Sequence, residues 1–292
     1  DAVIASVVKL APARQQQFPN GGLTDPIAMK FEVIPPVKPA PKQPIFRRCD
    51  LYFVAKGKVD WVADPAFIQQ QLKGKNVKNG FFTPAEIAAR NLKVVNNNNV
   101  QERYVHVILE LIDIVVLSAS ARAMETKEND SVIVAFMVDP RLESDQAYPN
   151  LWQLILRGAG GVRKLGDTHP YQGMAAYAKI TALAAQPDRV FVEYHVAYEE
   201  PNGWFNGGEA LRSKLPNEYE TDSRQFRRDL VDFGKKQAAA GANPPAAGAN
   251  PAAAAGANPP TAGGAAPDVA APADAKKDAA KKADDKAKGS GK

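Results

Sequence analysis

The chain has 292 residues, 24% of them charged, and a formal net charge of +5. Seven lysines against five aspartates in residues 238–292 hold +2 of that charge, so residues 1–237 carry only +3. So mild an excess excludes the concentrated basic stripe of a dedicated nucleic-acid binder, and the single cysteine, Cys49, excludes an intrachain disulfide framework.

The chain opens on Asp1 rather than methionine, which reads as processing or trimming; signal cleavage would make the protein extracytoplasmic or secreted. Ala2 to Val8 is a brief apolar run with no basic residue before it, too short to span a bilayer. No other stretch reaches about 18 uninterrupted apolar residues, so no transmembrane segment is expected.

Residues 1–44 form a Pro-rich N-terminal extension. Pro12, Pro19, Pro26, Pro35, Pro36, Pro39, Pro41 and Pro44 interrupt any helix and remove ladder donors, so 11–45 reads as a tether. Only Met29 to Ile34 alternates well enough for an edge strand. Folded structure is expected from Ile45. Leu51, Phe53 and Ala55 alternate with Tyr52 and Val54, Gly57 breaks the run, and Val59 and Trp61 suggest a short second strand.

Two helices follow. Asp64 caps the first, with Pro65 in its first turn, Phe67, Ile68 and Leu72 on its apolar side and Gly74 just past its end. The second opens on the capping box Thr83-Pro84-Ala85-Glu86 and carries Ile87, Ala88 and Leu92. From Tyr104 to Met124 runs a long apolar segment rich in β-branched residues. Val105, Val107, Leu109 and Leu111 alternate with Tyr104, His106 and Ile108, which reads as strand, bent near Asp113 or Ser118-Ala119-Ser120 or divided in two. Ser131 to Val138 returns as another strand. Residues 141–172 read as a linker in which Leu151 to Leu156 fits helix or strand equally well.

Met174 to Leu183 and Val190 to Tyr198 are two more strands, joined around Gln186-Pro187-Asp188. A final helix spans about Asn217 to Phe233, since Tyr219, Phe226, Leu230 and Phe233 at offsets of seven, four and three share one face. Gly234 reads as its stop and Arg224, Arg227 and Arg228 as its solvated side. From Ala238 onward there is no aromatic residue, and Val269 is the one apolar side chain larger than alanine, so 238–292 reads as a disordered tail. Gly-Ala-Asn-Pro recurs there at Gly241, Gly248 and Gly256 before the Lys/Asp-rich end.

The order of elements resembles the helix-grip architecture of START-like lipid-binding domains: two early helices, long antiparallel strands and a closing amphipathic helix. The local likeness is greatest from Val190 to Phe233, through Gly203-Trp204-Phe205 and Leu211-Arg212-Ser213-Lys214-Leu215-Pro216. The resemblance implies an apolar ligand held between the sheet and the last helix, near Tyr194, Val196 and Phe226. Trp204, in its glycine-flanked loop, either anchors a partner or closes the core.

No cofactor or catalytic motif stands out. His106, His169 and His195 lack HxxxH or CxxC spacing, so no metal site is expected. Ser118 or Ser120 with His195 and Asp113 makes a triad on paper, without a GxSxG elbow. Glu199 and Glu200, adjacent on a strand, point to opposite faces and read as turn solubilisers. Gly158-Ala159-Gly160-Gly161 matches no phosphate loop. The expectation is an α+β domain over 45–237, built on an antiparallel sheet with a C-terminal helix packed on it. Its function is non-enzymatic: binding or assembly with a protein or cell-surface partner, or carriage of an apolar ligand, with a hydrolase as the remaining alternative.

Overall fold

The computed structural model describes residues 16–35, 44–73, 78–97, 100–171, 173–204 and 209–242, together with positions 5 and 9. Phe205 and residues 243–292, the bulk of the expected tail, lie outside them.

The domain is α+β, with a large antiparallel sheet and a long C-terminal helix. Its strands are β1 (Ala28–Ile34), β2 (Ile45–Lys56), β3 (Gly80–Phe81), β4 (Val100–Leu111), β5 (Val115–Glu128) and β6 (Ser131–Val138). After these come β7 (Leu151–Arg157), β8 (Arg163–Leu165), β9 (His169–Pro170), β10 (Met174–Leu183) and β11 (Gln186–Glu200). The strands lie in the order β1-β2-β11-β10-β6-β5-β4-β3, with β7 beside the first part of β5 and β8 and β9 beside β7. Helices α1 (Val59–Val62), α2 (Pro65–Lys73) and α4 (Glu209–Ala242) cover one face, called inner here. Helix α3 (Pro84–Ala89), held by the capping box of Thr83 and Glu86, lies with Tyr104 and Leu142 on the outer face.

Alternation decides which residues face inward. Leu51, Phe53 and Ala55 of β2, Val190 and Val192 of β11, Ile180 of β10 and Val132 of β6 pack against Leu230 and Phe233 of α4. The long apolar segment is indeed two strands, parted by a turn in which Ile112 and Asp113 take φ of 55° and 57°. The undecided run at Leu151 is strand because Trp152 and Leu154 pair with Leu117 and Val115 and so share their inner face.

Beside β5 the sheet forks, β6 leaving after Val138 and β7 taking its place. Buried Asn150 fills the gap as a piece of surrogate backbone. Its Oδ1 accepts from Ser120 N at 2.7 Å and its Nδ2 donates to the Asp139 carbonyl at 2.7 Å.

Several expectations need correction. Val59–Val62 is a helical turn rather than a strand, because it buries Val59 and Val62, three apart, rather than Val59 and Trp61. The β10–β11 turn precedes Gln186, and Pro187 lies within β11, two residues before Arg189, the first paired with β2. Part of the N-terminal tether is structural: Phe18 is buried against Val54 and Phe191, and β1 pairs with β2 from Ala28 to Ile34. Helix α4 does not stop at Gly234 but continues through 238–242. Gly234 instead admits Trp61, whose ring would lie 2.3 Å from any Cβ there.

Arg227 is not solvated but fully buried. Its Nε donates to the Val54 carbonyl at 2.8 Å, Nη1 to Asp25 O at 2.8 Å and Nη2 to Pro26 O at 3.2 Å, with the guanidinium over the Phe53 ring. Desolvation pulls its pKa down to about 10, so it stays charged at neutral pH. Arg227→Met should strand three carbonyls and cost about 3 kcal/mol, as removal of a buried charged donor does. A urea-denaturation midpoint equal to that of the unaltered protein would contradict this.

Candidate functional site

Helix α4 runs closest to β2, α1 and α2. Its Leu230 and Phe233 close one part of the inner face, while Leu215 and Tyr219 lie over Cys49, Ala176, Val196 and Tyr198. A second plug closes the other end: Trp204 stacks on Tyr171 at 5.6 Å and meets Trp152 edge-on at 6.0 Å, over Val115, Leu117 and Ala119. Between these closures lies the middle of the inner face. There Ala123, Val134, Phe136, Ala178 and Tyr194 are half-buried, although they sit at the centre of a broad sheet.

The electrostatics of this region are those of a desolvated interior. Tyr194 and Tyr219 have their hydroxyls pushed well above the ordinary tyrosine range, chiefly by desolvation. Nearby Cys49 is buried, and desolvation pushes its thiol up to about 12. Yet Tyr194 and Tyr219 both keep accessible surface. Both pack against the buried residues of the sheet beneath α4. Farther along the same face Glu125 lies 3.8 Å from Arg103, with its carboxyl raised by desolvation against the opposing pull of Arg103 and Lys127.

The four residues singled out from sequence therefore divide. Tyr194 and Val196 are neighbours on the inner face of β11, beneath α4. Phe226 lies farther along the helix, edge-on to Phe53 and Phe67 at 5.8 and 5.7 Å. Trp204 is 2% exposed and belongs to the separate plug. Sequence reasoning missed Tyr219 as a lining residue, reading it only as part of the helix's apolar stripe. It also missed the Arg103–Glu125 pair, although both residues occupy odd-numbered, inward positions of their strands.

The paper triad does not assemble. Ser120 Oγ lies 3.1 Å from His106 Nδ1, Ser118 donates to the Pro149 carbonyl and Asp113 pairs with Arg157. His195 instead has Nδ1 2.6 Å from Asp50 Oδ1, and β10 and β6 separate it from β5. Glu199 and Glu200 are strand residues rather than turn solubilisers; Glu200 is buried and paired with Arg47. His169 stacks on Trp152 at 4.4 Å, so the three histidines lie in three different settings.

No family model and no curated protein matches the sequence. Among solved structures the chain is similar to human STARD10, with TM-score 0.39 and 6% identity over 72% of this chain and 77% of that one. It is also similar to a putative uncharacterized protein from Rhizobium leguminosarum, with TM-score 0.31 and 12% identity over 71% and 99% of the two chains.

His106 generates a prediction of its own. Burial lowers its pKa to about 4, so the folded protein keeps it neutral. Between about pH 6.5 and about pH 4 the unfolded chain takes up a proton there that the folded chain refuses. Stability at this position is therefore complete above the window and falls by up to about 3 kcal/mol as pH drops through it. His106→Gln should lose less stability than the unaltered protein over that range in paired urea titrations. Parallel losses would exclude the effect.

Proposed function

We propose that this is a non-enzymatic binding protein that holds an apolar small molecule between α4 and the inner face of the sheet. One observation carries the reading: Tyr194 and Tyr219, both strongly desolvated, lie together over Cys49 and Val196 between α4 and the sheet while each retains some surface. With Ala178, Val134 and Phe136 beside the two tyrosines, the region suits a ligand with little polar surface, since the two hydroxyls are the polar groups these five side chains offer. The Arg103–Glu125 pair at its far side supplies one polar contact to fix orientation. Val196 forms the floor, and Phe226 bounds the space toward α2.

The test uses a neutral fluorescent probe, N-phenyl-1-naphthylamine, titrated into the full chain. A saturable rise in emission is expected, weakened about tenfold or more in Ala178→Phe, which places a ring where the ligand would lie. Because Ala178 packs against the core, Val196→Leu, which adds one methylene to the floor, is the second variant and should also weaken the probe. Equal affinity in all three proteins, or no saturable binding at all, would refute the reading.

A further inference from the structure

The ligand reading above leaves the outer face of the sheet unused. There the register sets Arg48, Ala197, Ala175, Met137 and Arg122 side by side on β2, β11, β10, β6 and β5. In the neighbouring row His195, Tyr177, Ala135 and Met124 run between Asp50 and Glu102. Alanines hold the middle low while Met124, Met137 and Tyr177 stand up from it, 40%, 55% and 37% exposed. The result is an open groove of about 680 Å³ with an apolar floor and an arginine at each end.

The two arginines are built alike. Arg48 Nε donates to Asp50 Oδ1 at 2.8 Å, and Arg122 Nε donates to Glu102. Both carboxylates are buried, at 5% and 2% exposure, and each has a second donor: His195 Nδ1 for Asp50 and the Val95 amide for Glu102. They therefore act as fixed braces behind the guanidinium groups. Each brace takes Nε, and Glu32, opposite Arg48 on β1, is itself paired with Lys30, so among the described residues the hydrogen bonds of the two guanidiniums run through Nε and leave the Nη edges outward. A planar pair of N–H donors on a held guanidinium is the geometry that receives a carboxylate. The Cα atoms of the two arginines stand four strand spacings apart, about 19 Å. His195, stacked on Tyr177 at 4.9 Å, stiffens the wall between them.

We propose that this groove binds an elongated apolar molecule with an anionic group at each end, of which a long α,ω-dicarboxylate is the simplest. Its chain lies over Ala135, Ala175 and Ala197, against the adaptable thioethers of Met124 and Met137. Its two ends sit on Arg48 and Arg122.

The experiment is calorimetric titration of the full chain with dodecanedioate and, separately, dodecanoate at neutral pH and low salt. Dodecanedioate should bind one molecule per chain, and about tenfold more tightly than dodecanoate, which can engage only one arginine. Arg48→Gln and Arg122→Gln should each weaken the dicarboxylate by about tenfold. Since those changes also disturb a braced pair, Ala175→Leu is the second variant: the site is exposed and the braces are untouched, but the trough is filled. It should abolish binding without lowering the melting temperature. Absence of saturable binding, or equal affinity in Ala175→Leu, would overturn the proposal. Ala178→Phe, on the inner face, should leave dicarboxylate binding intact, which separates this site from the inner one. Loss there with retention in Ala175→Leu would place the dicarboxylate inside and overturn the outer-face assignment.

Discussion

A single guanidinium holds the domain's layers together. Arg227 is a full positive charge in the interior that makes no ion pair with a carboxylate among the described residues, and three backbone carbonyls converge on it to make it tolerable. Their origins give the contact its reach. Val54 lies on β2 beyond the last residue paired with β1, so its carbonyl sits on a stretch of strand that β1 does not cover. Asp25 and Pro26 belong to the segment that feeds β1. The last helix, the edge of the sheet and the N-terminal approach thus meet at one side chain. Any rearrangement that separates two of them leaves a buried charge or a buried carbonyl unmatched.

That fixed point explains the placement of α4. With Arg227 anchored beside β2, and Leu230 and Phe233 seated on β2, β11 and α2, the helix is held toward one side of the inner face. Gly234 lets Trp61 approach from α1 and secures the same end. The opposite end of the face is closed from the loop after β11 by Trp204 and Tyr171. A helix fixed at one side and an aromatic plug fixed at the other leave the centre of the sheet between them. Ala178, Phe136 and Tyr194, half-buried and packed against the core, occupy that stretch.

Much of this layout was legible in sequence, and the failures share a cause. Apolar runs located β6 and β10 at their observed bounds, and the capping box at Thr83 located α3. These are local signals, satisfied by neighbours in the chain. Arg227 was read as solvated because an arginine beside Arg228 normally is; nothing within a few residues reveals carbonyls about 200 positions away. Gly234 looked like a helix stop because its real reason, the ring of Trp61, lies in another element. Phe18 looked like part of a tether because prolines dominate its surroundings, although its partner Phe191 waits on β11. The candidate site was legible only where it coincided with a strand: Tyr194 and Val196 were within reach, whereas Tyr219 and the Arg103–Glu125 pair needed the register.

The two faces of the sheet handle charge in opposite ways, and this separates what each can recognise. On the inner face Arg103 and Glu125 spend their charges on each other in a desolvated setting, which raises the carboxyl and leaves little field for a ligand. On the outer face the carboxylates are buried behind the arginines and engage Nε alone, so they orient the cations without covering their donor edges. An inward-facing pair of this kind suits a molecule with little charge, because any ion entering would have to break it. An outward-facing braced arginine suits an anion, because the brace has already met the entropic cost of holding the guanidinium still. Alternation along β5 makes the two arrangements compatible: Arg122 and Glu125 lie three residues apart on one strand, and period two sends them to opposite sides.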